Sequence, residues 1–333
     1  MNKFLIILTI ALVSSEFVDS DRILFQQFQK FIKKYNKSYN SVNEFLSRFE
    51  IFKENAISNL KENPSYKTGI TKFSDLTKQE FIKAYSNIEV DNLIIEGFNS
   101  KKHHSFQSAP SEWDWREHGY NFPDRDQGSC GSNWAFITMD QLQFIYYRSK
   151  GVMREFSVQQ LIDCDTLDSG CNGGTIINAL TWLKSNGIML ESDYPYTGRK
   201  STCKQDSTKY IDMKVTGYKK LGSSYSTYSP VDEMEMAEFL YETGPLIVGI
   251  NGKPLSTYTG GIIDVSSSEC PSSGINIFAV LVGYGYDSAT GKYYWIVQNS
   301  WGKSWGENGY FRIKKGSGTC GINCYVITPL VSF

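Results

Sequence analysis

The stretch Gln127-Gly-Ser-Cys-Gly-Ser-Asn-Trp-Ala-Phe136 sets a Gly/Ser loop directly before an apolar run with helical spacing. At the start of such a helix the dipole favours an anion, a thiolate above all. The only thiol in the loop, Cys130, comes three residues early, and the residue at the helix start is Asn133. Its carboxamide is neutral and a poor nucleophile, though it can donate and accept hydrogen bonds there. Nucleophilic hydrolysis also needs a base, and the histidines are His103, His104 and His118, none of them after Asn133. Ser132 stands beside the helix start with no base to activate it. No Ser–His pair or metal-ligand cluster can be built from those three imidazoles, so the sequence asks for no metal and no cofactor.

Four motifs in order, Gln127-Gly-Ser-Cys130, Cys171-Asn-Gly-Gly174, Gly283-Tyr-Gly285 and Asn299-Ser-Trp-Gly302, resemble those of papain-like cysteine peptidases of the cathepsin L-like branch. The resemblance implies an α+β papain-like fold of two lobes, helical then strand-rich, with the cleft between them. It makes Gln127 the oxyanion donor and Asn299 the orienter of the base, with Trp301 shielding that contact from water. The same alignment puts the nucleophile at Asn133 and the base at Ile277, six residues before Gly283; a one-residue shift gives Phe278, which is no better. Loss of one member of such a unit lowers kcat by about 10⁴ to 10⁶, and losing two costs little more. Gly173 and Gly174 match glycines whose backbone pairs with an extended peptide, or they permit a tight turn after Cys171. Thr175 and Ile176 fall where relatives present a pocket wall, or they begin a helix.

These positions imply a catalytically inactive homologue that holds peptides, inhibitors or propeptides in its cleft as a decoy or regulator. Its own propeptide and cystatin-type inhibitors are the implied partners. The alternative is an active cysteine endopeptidase of the cathepsin L-like class with an unrecognised nucleophile. Lys plus Arg number 34 against 35 Asp plus Glu, so no global charge points to nucleic acid.

The elements that must position this site follow in order. Residues 1–15 read as a signal peptide, with Lys3, an apolar run from Phe4 to Val13 and Ser14-Ser15. The run is too short to span a bilayer, and the expected destination is the secreted or endolysosomal lumen. Residues 16–108 resemble a cathepsin-type inhibitory propeptide. There Glu44, Arg48, Phe52, Asn55, Asn59 and Asn63 follow a helical row, and Gly69-Ile-Thr-Lys-Phe-Ser-Asp75 carries Thr71 where the family has Asn. Asn36-Lys-Ser38 is a glycosylation sequon. The peptidase domain is placed at 109–333, mainly helical over 109–190 and mainly β over 191–333, with the junction between about Ser105 and Ala109, in an exposed polar linker.

Helices are expected after Asn133 with one apolar face and a stop at Gly151, from Ser157 to Cys164, from Ile176 to Asn186, and over Glu233–Thr243. Strands are expected at 246–250, 278–282, 293–297 and 310–313. Of seven cysteines, the resemblance pairs Cys130 with Cys171, Cys164 with Cys203 and Cys270 with Cys320. Cys324 is left as a buried, idle thiol.

Overall fold

The computed structural model describes residues 19–58, 65–85, 109–221 and 230–333. The signal segment, the junction region, His103, His104, Asn59 and Asn63 lie outside the described residues.

Two helices, α1 (Asp19–Lys34) and α2 (Val42–Ser58), make a small core of their own. Phe25, Phe28 and Phe31 recur every third residue on α1 and meet Phe45, Phe49 and Phe52 of α2, with the Phe28 and Phe52 ring centroids 5.1 Å apart. Ser41 Oγ accepts from the Glu44 amide (3.1 Å), and the Glu44 carboxylate accepts from the Asn40 N–H (2.6 Å), a reciprocal cap that fixes the start of α2. Arg48 and Asn55 then reach off the helix. Arg48 donates to the Asp75 carbonyl (3.0 Å), and Asn55 Nδ2 to the carbonyls of Ser74 (2.9 Å) and Leu76 (3.0 Å), so the polar row positions the 69–77 loop. Thr77 and Glu80 cap the next helix, α3 (Lys78–Tyr85), in the same reciprocal way. Asn36, of the sequon, is exposed and has φ 49°.

The helical lobe is built on α4 (Asn133–Lys150), α5 (Val158–Cys164) and α6 (Ile176–Ser185). The expected single apolar face of α4 is corrected: every residue from Asn133 to Phe144 is buried, since α4 packs on α5 and α6 and also on the sheet. Its C-cap is Gly151 at φ 68°, a left-handed conformation suited to glycine. Ser157 caps α5 by accepting from the Gln160 amide (3.0 Å), but Gln160 does not return the bond; its side chain spans the Gly187 carbonyl and the Met189 N–H.

The strands are β1 (Tyr66–Thr68), β2 (Trp113–Asp114), β3 (Lys214–Lys220), β4 (Leu246–Ile250), β5 (Tyr258–Ile263), β6 (Ile277–Asp287), β7 (Lys292–Gln298), β8 (Tyr310–Lys314) and β9 (Tyr325–Ser332), with α7 (Glu233–Thr243) before β4. The sheet order is β1-β5-β8-β7-β6-β4-β9-β3, with β2 also paired to β6. β6 runs well past its expected end because both faces are covered and its apolar run is continuous. Phe278, Val280 and Val282 face α4, whereas Ile277, Ala279 and Leu281 face the second core behind the sheet. Strands β3, β5 and β9 escape the sequence reading: β3 is rich in lysine, β5 contains Gly260 and Gly261, and β9 contains Pro329. Disulfides join Cys130–Cys171, Cys164–Cys203 and Cys270–Cys320, while Cys324 is free and buried. Among the described residues no helix is long and apolar enough to cross a membrane.

Candidate active site

The loop before α4 is pinned from three sides. The Cys130–Cys171 disulfide holds one end, and Gly131 N–H donates to the Cys171 carbonyl (2.9 Å). A Cβ on Gly131 would come within 2.6 Å of that oxygen, so only glycine allows the approach. Gln127 is fully buried; its N–H donates to the Ser300 carbonyl (2.9 Å) and its carbonyl accepts from the Tyr196 hydroxyl (2.7 Å). Its amide Nε2 donates to the Cys130 carbonyl (2.9 Å) and to the Ala84 carbonyl at the end of α3 (3.2 Å). The Gln127 amide therefore holds a backbone carbonyl of the segment before residue 109.

Asn133 is the first residue of α4 and is 4% exposed. Its Oδ1 accepts from the Phe278 N–H of β6 (2.8 Å), and its Nδ2 donates to Ser300 Oγ (2.9 Å) and, at 3.4 Å, to Asn299 Oδ1. Ser300 Oγ in turn donates to Gln127 Oε1 (2.7 Å). A neutral amide and hydroxyl chain thus runs from Gln127 through Ser300 to Asn133 and across to the strand-rich lobe. Ser300 was missed in the sequence; its position beside Asn299 is the signal that could have found it. Asn299 Oδ1 also accepts from Ser300 N–H (2.8 Å), but its Nδ2 is buried with no partner among the described residues. Trp301 is buried, with Phe73, Phe81 and Tyr85 meeting it edge-on at centroid distances of 4.9, 5.6 and 6.0 Å.

Ile277 has no exposed surface and turns to the second core, where its Cδ1 lies against Gly252; a Cβ there would be 2.1 Å away. Phe278, the alternative position, points to the opposite face. His118 is exposed and stacked on Trp113 (3.7 Å), outside the constellation. The structure therefore gathers Gln127, Asn133 and Asn299 into one hydrogen-bonded group with Ile277 one residue from an amide it receives.

The residues of the second wall form a turn and a helix start, one of the two readings the sequence leaves open. Gly173 adopts φ 116°, and its carbonyl accepts from Ser169 N–H (3.0 Å). Gly174 lies under the Trp134 indole, where a Cβ would be 2.6 Å from the ring. Thr175 caps α6 by accepting from Asn178 N–H (3.1 Å), and Ile176 is wholly buried in the core, so neither forms an open pocket wall here. Thr175 N–H donates to Asp168 Oδ1 (3.0 Å). Burial, with the charge of Asp165 nearby, pushes Asp168 up to about 7, and burial raises Asp165 as well.

On the other side, β1 pairs antiparallel with β5, and Thr71 Oγ1 donates to the Ser256 carbonyl (2.6 Å). Lys72 Nζ donates to both carboxylate oxygens of Asp126 (2.7 Å each) and to the Trp301 carbonyl (3.0 Å). Burial lowers the Lys72 pKa while Asp126 opposes that shift.

A family model described as "Papain family cysteine protease" matches residues 109–330, and one described as "Cathepsin propeptide inhibitor domain (I29)" matches residues 28–81. The chain is 38% identical over 323 residues to "Probable cysteine protease RD19B" of Arabidopsis thaliana, covering 90% of this chain and 85% of the relative. It is 33% identical over 338 residues to "Cathepsin L-like proteinase" of Phaedon cochleariae, covering 98% and 99%. A digestive procathepsin L2 proteinase from Tenebrio molitor larval midgut superimposes with a TM-score of 0.82 at 28% identity, over 92% of this chain and 99% of that one.

Proposed function

The chain belongs to the papain family of cysteine peptidases, with a cathepsin-type propeptide and cathepsin L-like relatives, and we propose that it binds peptide segments in its cleft without hydrolysing them. The observation that carries this reading is the carboxamide of Asn133 at the start of α4, occupied on both sides by Phe278 and Ser300. A neutral amide fully engaged in hydrogen bonds offers no electron pair for attack on a carbonyl carbon. With Ile277 turned into an apolar core, no imidazole is at hand to move a proton.

Gln127 and Asn299 are proposed as retained polar groups of a site whose proton-handling partners are gone. Gln127 meets a backbone carbonyl, that of Ala84, as it would meet one in a bound segment. Gly174 supplies the backbone edge for an extended strand, while Gly173, whose carbonyl accepts from Ser169, shapes the turn before it. The first occupant is the propeptide, which an inactive chain does not remove by itself. Exchange partners are other peptides, propeptides of active relatives or cystatin-type inhibitors, with the chain acting as decoy or regulator. The boundaries proposed are a signal peptide at 1–15, a propeptide at 16–108 and the peptidase domain at 109–333, in a secreted or endolysosomal protein.

A second reading, a working endopeptidase, is favoured by relatives named as proteases and by the intact Gln127–Ser300–Asn299 group. The assay that decides between them removes the propeptide with an added protease and follows peptide cleavage and labelling by an epoxide-type thiol probe. Turnover or labelling blocked by a cysteine-peptidase inhibitor overturns the non-hydrolysing reading. Calorimetry with a cystatin-type inhibitor or an extended peptide measures the binding role itself.

A further inference from the structure

We propose that Asn36 is an N-glycosylation site, so that the proform carries one N-linked oligosaccharide at the joint between α1 and α2 and loses it with the propeptide. The inference rests on the lumenal reading of the chain and adds a modification to it.

The sequence offers a single acceptor. Asn36-Lys37-Ser38 is the only Asn-X-Ser/Thr triplet whose middle residue is not proline; Asn63-Pro64-Ser65 is excluded by its proline. Local structure accounts for the asparagine alone. Asn36 follows the last turn of α1 at φ 49°, and the Lys37 N–H donates back to the Ile32 carbonyl (3.0 Å), the bond that closes a helix ending on a left-handed residue. Glycine or asparagine suits that conformation. Nothing in the cap calls for Ser38, whose side chain is exposed and makes no hydrogen bond among the described residues.

The residues after the cap alternate in direction as extended backbone does. Lys37 and Tyr39 turn inward: Lys37 Nζ donates to Asp75 Oδ1 (2.8 Å), and the Tyr39 hydroxyl donates to Asp75 Oδ2 (3.0 Å) with its ring stacked on Phe28 (6.0 Å). Asn36 and Ser38 are exposed, so the acceptor amide and the hydroxyl that must stand two residues on both face solvent. A sugar rooted at Asn36 therefore leaves both bonds to Asp75 in place. In the transfer, Asn36 Nδ2 bonds to C1 of the first sugar of a lipid-pyrophosphate-linked oligosaccharide. The C1–O bond to the pyrophosphate breaks, its electron pair leaves with the lipid pyrophosphate, and Nδ2 gives up one proton. Because Asn36 lies within the segment 28–81 that matches the propeptide model, the sugar marks the unprocessed chain only.

The test expresses the full chain in secreting cells that N-glycosylate their proteins. The proform in the medium is expected to shift by one step on a gel after peptide-N-glycosidase, which converts a glycosylated Asn36 to aspartate for mass spectrometry. Asn36→Gln and Ser38→Ala should each abolish the shift, and Ser38→Thr should keep it. Ser38→Ala leaves the left-handed cap untouched and serves if the glutamine variant fails to fold. Once an added protease has removed the propeptide, a mannose-binding lectin should retain the proform and release the processed domain. A secreted proform with Asn36 unmodified overturns the site and leaves the lumenal reading standing, and a shift that survives Ser38→Ala, or a processed domain still held by the lectin, overturns the site as well. A chain that stays in the cytosol overturns the lumenal reading instead. The same chain behind a leader of known action then decides the site: Asn36 modified supports it, and Asn36 unmodified overturns it.

Discussion

Replacing Asn133 by alanine tests whether its carboxamide staples the two lobes. The change strips the acceptor from the Phe278 N–H and the donor from Ser300 Oγ, which were met at 2.8 and 2.9 Å. The two losses are unequal. Ser300 keeps its own donation to Gln127 Oε1, so it forfeits one ordinary bond, about 0.5–1.5 kcal/mol net. The Phe278 N–H is left buried and unpaired, which costs about 1–3 kcal/mol. Together the expected loss is about 2–4 kcal/mol, or a melting point lower by about 5–15 °C for a domain of this size.

Asn133→Asp separates the acceptor from the donor. The carboxylate still accepts from Phe278 N–H, but it faces Ser300 Oγ and Asn299 Oδ1 without a proton to give. Burial favours its neutral form, so this variant is expected to approach wild-type stability at acid pH and to lose it as pH rises above the ordinary aspartate range. Differential scanning calorimetry of both variants from pH 4 to 8 is the assay. An alanine variant that melts within about a degree of the wild type, or an aspartate variant whose deficit does not grow with pH, refutes the staple.

Asp168, raised to about 7, makes the native state hold a proton that the unfolded chain releases at lower pH, so its contribution is greatest below the ordinary value of 3.8 and is lost as pH rises through about 7. Asp168→Asn should therefore flatten the fall in thermal stability between pH 4 and 8, and an unchanged slope counts against a carboxyl raised by burial. Glu80 shifts the other way: its bond to Arg48 holds it down at about 2, so its stabilisation is complete above 4.5 and is lost as pH falls through about 2. Its side chain is 41% exposed, so the Glu80→Gln deficit should stay below about 1 kcal/mol at pH 7 and vanish near pH 2 in melting curves. Lys72→Met removes the clamp on Asp126 and the Trp301 carbonyl; limited proteolysis should then cut the residues before the domain several-fold faster, and an unchanged rate refutes the clamp.

The helices were largely legible because their ends carry local chemistry. Ser157, Thr175 and Asp232 each accept a backbone N–H where α5, α6 and α7 begin, and such caps depend only on neighbours in sequence. The buried strand β4 was legible as a short β-branched run, whereas β5 was not, since its pairing with β1 and β8 depends on distant residues rather than on its own Gly-Gly. At the site, the motifs named Gln127, Asn133, Asn299 and Ile277, but not their bonds. Ser300 is the bridge, and the contact of Phe278 with Tyr325 is set by strand register across β6, β4 and β9, which no single stretch encodes.

The two substituted positions act on different surroundings on opposite faces of β6, which makes their reversal close to additive. Asn133→Cys alone gives up the amide bonds to Phe278 and Ser300, and a thiol makes only weak ones in their place. Ile277→His alone puts a polar ring into the apolar space against Gly252, where it has no acid or thiolate to meet. Made together, the thiol at the start of α4 and the imidazole on the far face of β6 do not meet, so neither cost is recovered. A double-mutant cycle on melting free energy should be additive within about 0.5 kcal/mol, as for side chains that share no partner. A favourable coupling above about 1 kcal/mol would refute this and mean that β6 shifts to turn position 277 towards α4, in which case those two changes could restore the site.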